Sequence, residues 1–238
     1  MVNRIMKKLE KKDLINKVIL GDCLEILPNL PDHVFDLIII DPPFLIAKYS
    51  ALRVHTRKSF GDLGLIEYFF KTLFREFERV LKDTAYFYVF CDGDSYPLFW
   101  YYTYPFTKKV RTIIWDKGTS INGFSWRHQH ILLLFGEMPN TVKVPTGDGD
   151  VIGCRSVPVK KRLHPAQKPV ELLKKLILKS SKQGDLVADF FSGSGSTLLS
   201  AKQLNRNYFG IEYDEGYFKI IQQKLKSKGL VDFFNKQK

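Results

Sequence analysis

The stretch Val34-Phe-Asp-Leu-Ile-Ile-Ile-Asp41-Pro-Pro-Phe44 decides how this chain folds. Its first seven residues form an apolar run that predicts a buried strand, which the polar, turn-forming tetrapeptide then ends. A second apolar run, Asp185-Leu-Val-Ala188, precedes Asp189-Phe-Phe-Ser-Gly-Ser-Gly-Ser-Thr197. Turn-forming motifs at the carboxyl ends of two buried strands are what a ligand crevice in an open α/β sheet requires.

Strand-like and helix-like segments alternate along the remainder of the 238 residues. This alternation predicts a Rossmann-like α/β fold, with a mostly parallel, twisted sheet and helices on both faces, in a single domain over residues 1–238. The predicted strands are Lys17–Leu20, Val34–Ile40, Thr84–Cys91, Val110–Trp115, Gln129–Phe135, Leu186–Phe190 and Tyr208–Ile211. The predicted helices are Leu65–Leu81, Pro169–Ser181, Thr197–Leu204 and Glu215–Lys226.

Three connecting segments depart from the regular alternation. The residues from Lys117 to Arg127 are rich in Gly, Ser and Asn, so the strands on either side should pair as an antiparallel hairpin. Leu45–Gly64 and Glu137–His164 are predicted to stay irregular. Because loops this long are uncommon in a compact domain unless they are functional, both are candidates for substrate contact.

The formal net charge of +12 is the one unusual bulk property. It suits a polyanionic partner such as DNA, although a lysine-rich surface also serves solubility. The basic clusters near the two termini, the later one including Lys224 and Lys226, are interpreted as solvated faces. The residues assigned to phosphate contact lie in the two irregular segments: Arg53, Arg57, Lys58, Arg155, Lys160, Lys161 and Arg162.

Other bulk features exclude whole classes of protein. No apolar run reaches the length of a membrane span, and the basic N-terminus lacks an apolar signal core, so a cytoplasmic protein without a membrane partner is expected. Cys23, Cys91 and Cys154 have no CxxC spacing, which argues against a zinc site and a disulfide framework. No metal site is predicted.

The tetrapeptide Asp41-Pro42-Pro43-Phe44 combines three properties that suit an aromatic base with an exocyclic amine. The two prolines fix the backbone and remove two N–H donors, which leaves carbonyl acceptors with little freedom. Asp41 supplies a carboxylate acceptor and Phe44 a flat apolar face. An ordinary turn that ends a strand and buries the phenylalanine would have the same sequence.

The second motif predicts a strand, a glycine loop and a helix of the nucleotide-binding kind. Gly193 and Gly195 allow a tight turn and close approach of a ligand, and Ser196 or Thr197 can cap the following helix. The lysine of a phosphate-binding P-loop is absent, which disfavours a triphosphate. Glu212 ends the next strand, about 20 residues on, where an acid holds a ribose diol.

The third motif, His164-Pro-Ala-Gln-Lys-Pro169, precedes a predicted helix. Pro169 suits the first helical position, so a plain helix start accounts for it. Lys168 could instead meet a carboxylate such as the amino-acid tail of a cofactor.

Taken together, these motifs resemble the β-group of amino-methyltransferases acting on DNA, in which the catalytic motif precedes the cofactor motif in a cyclically permuted order. The resemblance runs from about Lys17 to Lys226 and includes Val18–Leu24 and Gly210–Asp214. It implies S-adenosylmethionine as methyl donor, Asp41, Pro42, Pro43 and Phe44 as the catalytic residues that receive a flipped base, and no covalent intermediate. The residues it assigns to the cofactor are Asp22, Cys23, Asp41, Lys168, Asp189, Phe190, Phe191, Ser192, Gly193, Ser194, Gly195, Thr197, Glu212 and Tyr213.

The chain departs from the family pattern at a few positions. Phe190 replaces a usual proline, and Ala166 and Ser196 stand where threonine is frequent. The segment from about 137 to 163, where target recognition is expected, is short. A short target, help from the first irregular segment or a second subunit would compensate, so a homodimer is considered. A cognate restriction enzyme is considered as a separate partner.

Adenine N6 in double-stranded DNA is the favoured target, because adenine enzymes of the family more often begin the tetrapeptide with Asp. Cytosine N4 is the runner-up, and an amino group of an RNA base is a further alternative. A catalytically idle DNA-binding subunit is the rival from another class, and intact Asp41 and Glu212 argue against it.

Overall fold

A computed structural model describes residues 8–43, 63–118, 126–142 and 147–226. Eight strands of this part of the chain form one sheet. They are β1 (Lys17–Leu20), β2 (Phe35–Ile40), β3 (Leu81–Cys91), β4 (Lys109–Asp116), β5 (His130–Glu137), β6 (Val151–Gly153), β7 (Leu186–Asp189) and β8 (Asn207–Glu212). Their order across the sheet is β1-β8-β7-β2-β3-β5-β4-β6.

The helices fall between these strands. They are α1 (Lys11–Leu14), α2 (Cys23–Ile26), α3 (Leu63–Val80), α4 (Tyr96–Thr103), α5 (Val170–Ser180), α6 (Ser196–Gln203) and α7 (Glu215–Lys226). Short 3₁₀ turns occupy Leu27–Asn29, Tyr104–Phe106 and Val159–Lys161. Among the described helices, none is both long enough and apolar enough to cross a membrane.

The pairing of strands confirms the predicted fold class. Every paired neighbour is parallel except at β5, which runs antiparallel to both β3 and β4. The β4–β5 pair is the expected hairpin. The two strands that carry the deciding motifs are direct neighbours, since β2 pairs with β7 through Leu37 opposite Val187 and Ile38 opposite Ala188. The segments at 41 and 189 therefore meet at one edge of the sheet.

Alternate residues of β2 enter two different cores because successive side chains of a strand point to opposite faces. Ile38 and Ile40 pack in a phenylalanine-rich core with α3, whereas Leu37 and Ile39 pack against α5. Both faces of the central strands are thus covered by helices, as predicted. This burial explains why β2 reads as a continuous apolar run rather than an alternating one.

Most predicted boundaries agree with the structure within three residues, but some elements were missed. Helix α4 is rich in aromatic residues, which are weak helix formers, and its burial against α3 decides its structure. Strand β6 lies inside Glu137–His164, so the prediction that this segment is irregular is wrong there; its three residues pair with β4. Residues 44–62, most of the other segment predicted to be irregular, lie outside the described part of the chain.

Candidate active site

Asp41 follows β2 directly. Among the described residues, it carries the one buried side-chain polar atom that has no hydrogen-bond partner. Its Oδ2 accepts a hydrogen bond from the Lys168 ammonium. Its Oδ1 is buried and has no hydrogen-bond partner there. A buried acceptor without a donor costs about 1–3 kcal/mol, so this oxygen is available to a ligand that brings its own N–H group. Pro42 is buried and Pro43 half-buried beside it, while Phe44 lies outside the described residues.

Lys168 ties the segment before α5 to the end of β2. Besides its ion pair with Asp41, the ammonium donates to the Ala166 carbonyl at 3.1 Å and lies 4.9 Å from the centre of the Phe90 ring. These contacts hold the carboxylate in one orientation. The prediction that Pro169 is the first helical residue is wrong by one position, because Pro169 is the N-cap and Val170 begins α5.

The glycine loop between β7 and α6 has a fixed shape. Gly193 and Gly195 both have positive φ angles, 50° and 71°, which a glycine adopts without strain. A Cβ atom on Gly195 would lie 3.0 Å from the Ile221 side chain of α7. The prediction that Ser196 or Thr197 caps α6 is wrong, since Gly195 is the N-cap and no side chain serves there. At Gly195 the loop therefore lies directly on α7, with little room for a side chain.

Glu212 at the end of β8 holds this loop. Its Oε2 accepts from the Gly193 N–H at 2.6 Å, and its Oε1 accepts from the Asp214 N–H at 2.9 Å. Burial raises the pKa of this carboxyl, although these backbone donors oppose the shift. An ionised carboxylate has about four lone-pair positions, so these backbone donors leave Glu212 able to accept from a ligand hydroxyl.

Asp189 is fully enclosed beneath the loop. Its carboxylate accepts from the Phe191 N–H at 3.0 Å and from the Thr197 hydroxyl. Burial raises its pKa to about 7, and the charges of Asp41 and Glu212 act in the same direction. Because β2, β7 and β8 are adjacent, three carboxyl groups meet at one edge of the sheet. The carboxylates of Asp41 and Glu212 at this edge favour a cationic ligand.

The remaining cofactor candidates lie around the same edge. Asp22 follows β1 and caps α2 by accepting from the Leu24 N–H at 2.8 Å. Cys23 is buried, and burial raises the pKa of its thiol to about 12, so it is no nucleophile. Tyr213 is 76% exposed next to Glu212, and the half-buried Phe191 lies against Phe69.

Phe190 shows how the chain accommodates a departure from the family pattern. Its buried ring makes edge-to-face contacts with Phe35 and Phe77, at centroid distances of 5.6 and 5.7 Å. Such pairs add to the stability that burial provides. This candidate residue therefore points its side chain into the core beneath the site rather than toward a ligand.

The residues assigned to DNA contact divide into three groups. Arg155, Lys160 and Lys161 are exposed on the segment before α5. Arg162 is half-buried and donates to the carbonyls of Val157 and Pro165, at 2.8 and 3.1 Å, so part of its guanidinium orders that segment. The third group, Arg53, Arg57 and Lys58, lies outside the described residues.

Two residues near the site were missed as contributors. The interpretation of Lys224 as part of a solvated face is wrong: its side chain is buried and donates to the Ser194 carbonyl at 3.0 Å and the Ser196 hydroxyl at 3.3 Å. Burial lowers its pKa to about 8. Its position three residues after Ile221, on the apolar face of α7, was the available signal. His164 lies about 3.4 Å from where a Gly193 Cβ would stand and packs against Tyr217.

The raised pKa of Asp189 predicts a pH-dependent stability. Between its ordinary value of 3.8 and its folded value of about 7, the folded protein keeps a proton that the unfolded chain releases. The free energy of unfolding should therefore fall as pH rises through this window, by up to about 1.4 kcal/mol per pH unit. Because the pKa values of Glu212 and Asp185 are raised as well, Asp189→Asn should remove only the part of the fall that Asp189 contributes, which leaves a shallower pH profile. Urea unfolding of the wild-type protein and of Asp189→Asn, from about pH 5 to about pH 7, measures this difference. Asp83→Asn, which replaces an exposed carboxyl, is the control. Parallel pH profiles for wild type and Asp189→Asn would contradict the prediction.

Comparison with known proteins agrees with this geometry. A family model described as DNA methylase, for N6 and N4 methyltransferases, matches residues 35–223. The type II methyltransferase M.HinfI of Haemophilus influenzae is 28% identical over 259 positions, which include 93% of this chain and 71% of that protein.

Solved structures share the fold at lower identity. The complex of M1.HpyAVI with SAM superposes with a TM-score of 0.66 at 21% identity, covering 89% of this chain and 99% of that one. The PvuII DNA methyltransferase, cytosine-N4-specific, gives a TM-score of 0.71 at 15% identity, covering 93% and 92%. Since the family model spans most of the sequence, including both deciding motifs, the chain belongs to the DNA methylase family of N6 and N4 methyltransferases.

Proposed function

We propose that this protein transfers the methyl group of S-adenosylmethionine to the N6 amine of adenine in double-stranded DNA. The observation that carries the proposal is the buried, unpartnered Oδ1 of Asp41, next to a glycine loop on the adjacent strand. The Asp41 carboxylate, which can accept from an amine, and the glycine loop, which can bind a nucleoside cofactor, therefore lie at the ends of adjacent strands. Family membership supports DNA as the substrate.

The residues at the sheet edge fit S-adenosylmethionine, which supplies an electrophilic methyl group on a positively charged sulfur. Glu212 has free lone pairs for the ribose hydroxyls, and the loop from Ser192 to Gly195 lines the methionine portion. Asp22 and Cys23 lie toward the adenine end. The carboxylates of Asp41 and Glu212 favour the positive charge. M1.HpyAVI, which shares the fold, has been solved with this cofactor.

Asp41 and the prolines perform the chemistry by positioning. The Asp41 Oδ1 accepts one hydrogen of the amine and a proline carbonyl accepts the other, which directs the nitrogen lone pair toward the methyl group. The ion pair with Lys168 holds the carboxylate in one orientation. The negative charge of Asp41 stabilises the positive charge that develops on nitrogen as the N–C bond forms and the S–C bond breaks, and the methylated amine then releases one proton to solvent. Phe44 is assigned the stacking role against the base.

The exposed Arg155, Lys160 and Lys161 supply phosphate contacts in this proposal, and residues 137–163 belong to target recognition within one methyltransferase domain. Asp at the head of the tetrapeptide favours adenine, and cytosine N4 remains the second candidate because a protein with this fold, PvuII, is cytosine-N4-specific. An RNA amine is the third. A homodimer, a cognate restriction enzyme and a cytoplasmic location complete the proposal; the type II designation of M.HinfI supports the restriction partner.

Replacing Asp41 by Asn should lower methyl transfer at least about 100-fold, because the amide keeps the shape but loses the charge that stabilises the transition state. Purified protein with methyl-labelled S-adenosylmethionine is incubated with duplex DNA and with RNA, and the products are analysed as nucleosides. N6-methyladenine in DNA is expected. Product in RNA alone, or comparable turnover by the variant, contradicts the proposal. Asp83→Asn, exposed at the opposite edge of the sheet, is the control and should be as active as wild type.

Replacing Glu212 by Ala should raise the dissociation constant for S-adenosylmethionine about tenfold or more. The change removes both the ribose acceptor and the hydrogen bond that orders Gly193, and hydrogen bonds to charged groups contribute about 1.5–3 kcal/mol each. Titration calorimetry measures the constant. Glu215→Ala, an exposed acid three residues later that pairs with Lys219, is the matched control. An unchanged constant for the Glu212 variant would remove this residue from the cofactor site.

A further inference from the structure

Lys117 stands immediately after β4 at the same edge of the sheet as Asp41. Its N–H donates to the Gln129 carbonyl at 3.0 Å, which continues the β4–β5 pairing by one residue. Trp115, two positions earlier, packs in the core that faces α5, so by strand alternation Lys117 is directed to that face. Asp41 is directed there as well, because Leu37 and Ile39 belong to the same core. Lys117 and Asp41 thus share one face and one edge.

The space between them is bridged by described side chains. Phe90 of β3 contacts Trp115 edge to face at 6.3 Å, and the Lys168 ammonium lies 4.9 Å from the centre of the same ring. Arg162 and Lys168, both on the segment before α5, lie close enough for their charges to lower the pKa of Lys117 together with burial. Lys117 therefore borders the site on the side of Asp41 that faces away from the glycine loop, which we call the target side.

Lys117 is an unusual lysine in this position. Its residue is only 8% exposed, yet within the described residues its ammonium has no carboxylate and no hydrogen-bond acceptor. Its neighbour Asp116 accepts instead from Gly118 and Gln129. Lys168 is already paired with Asp41, so the positive charges of Lys117 and Arg162 are left without a matching anion in this group. The residue is mostly enclosed while its ammonium keeps access to solvent, so the charge is available to an anion that enters the site.

Position in the sheet decides which anion fits. The glycine loop and Glu212 lie on the β7–β8 side of Asp41, whereas Lys117 lies on the β3–β5–β4 side. The exposed Arg155, Lys160 and Lys161 continue from Arg162 toward solvent on the same segment. A path of positive charge that runs from the surface to the target side of Asp41 suits the backbone of a nucleic acid.

We propose that Lys117 binds a phosphodiester of the DNA strand next to the base held at Asp41, and so positions the target nucleotide. The inference rests on the proposed function and deepens it. Lys117 acts as a positioning residue. By holding one phosphate, it fixes the distance between the sugar-phosphate backbone and Asp41, and so the position of the target base. Arg162 orders the segment that covers this contact through its bonds to Val157 and Pro165.

The test compares Lys117→Gln and Lys117→Arg with Lys109→Gln, an exposed lysine at the opposite end of β4. Methyl transfer to unmethylated bacterial genomic DNA is measured at several salt concentrations, and the affinity for S-adenosylmethionine by calorimetry. For Lys117→Gln we expect kcat/KM for DNA to fall roughly tenfold, chiefly through KM, and the salt slope to fall by about 0.9, as loss of one phosphate contact requires. Lys117→Arg should restore most of both, and Lys109→Gln should match wild type. Affinity for S-adenosylmethionine should stay unchanged.

Several results would overturn the inference. Wild-type DNA kinetics and salt slope in Lys117→Gln would do so, as would weaker binding of S-adenosylmethionine with unchanged DNA kinetics, which would assign the cation to the cofactor carboxylate. A marked loss of thermal stability in Lys117→Gln would show a structural ion pair. If the wild-type protein methylates no DNA, the proposed function fails separately. Fluorescence anisotropy with labelled duplex DNA then still measures whether Lys117 contributes to the salt slope.

Discussion

The parallel pairing of β2 with β7 is the constraint on which the rest of this structure depends. Through Leu37 opposite Val187 and Ile38 opposite Ala188, it joins segments separated by about 150 residues. Both strands end at the same edge, so the Asp41 tetrapeptide and the glycine loop must be neighbours whatever the intervening chain does. β8 adds Glu212 on the far side of β7, and β3 to β4 extend the edge toward Lys117. One edge of one sheet thereby carries a carboxylate acceptor, a glycine loop and cationic side chains.

The polar groups at this edge of the sheet lower the stability of the unliganded protein. Asp41 keeps a buried oxygen without a donor, Asp189 is enclosed with its pKa raised to about 7, and Lys117 is buried without a counter-charge among the described residues. Each arrangement costs free energy in the unliganded protein. The phenylalanine core around α3 and the apolar face of α5 provide compensating burial. Unsatisfied groups concentrated at one edge, above a satisfied core, are the physical signature of a binding site.

The sequence carried much of this information, since apolar runs and turn motifs predicted the positions of the strands, the fold class and the meeting of Asp41 with Gly193. What it could not carry depends on tertiary packing. The helix from Tyr96 to Thr103 forms from residues of weak helical propensity because burial overrides that propensity. The burial of Lys224 depends on the packing of α7 against the glycine loop, where its ammonium donates to the Ser194 carbonyl, and the sequence does not show this packing.

Lys117 illustrates the same limit at the site itself. In the sequence it is one lysine before a glycine-rich connection, and charge alone does not distinguish it from Lys109 at the other end of the strand. Its position at the same edge of the sheet as Asp41 arises from the placement of β4 and β5 beyond β3, which only the sheet order reveals. The packing of Phe190 against Phe35 and Phe77 could not be predicted either, because a departure from a family motif does not show whether the core has space for the larger side chain.

The most direct test of this account is a crystal structure of the protein with bound S-adenosylmethionine. The account predicts that the ribose hydroxyls contact Glu212, that the methionine portion follows the loop from Ser192 to Gly195, and that the sulfonium methyl points across from β7 toward Asp41 on β2. A cofactor bound elsewhere, or one whose methyl group points away from Asp41, would contradict it.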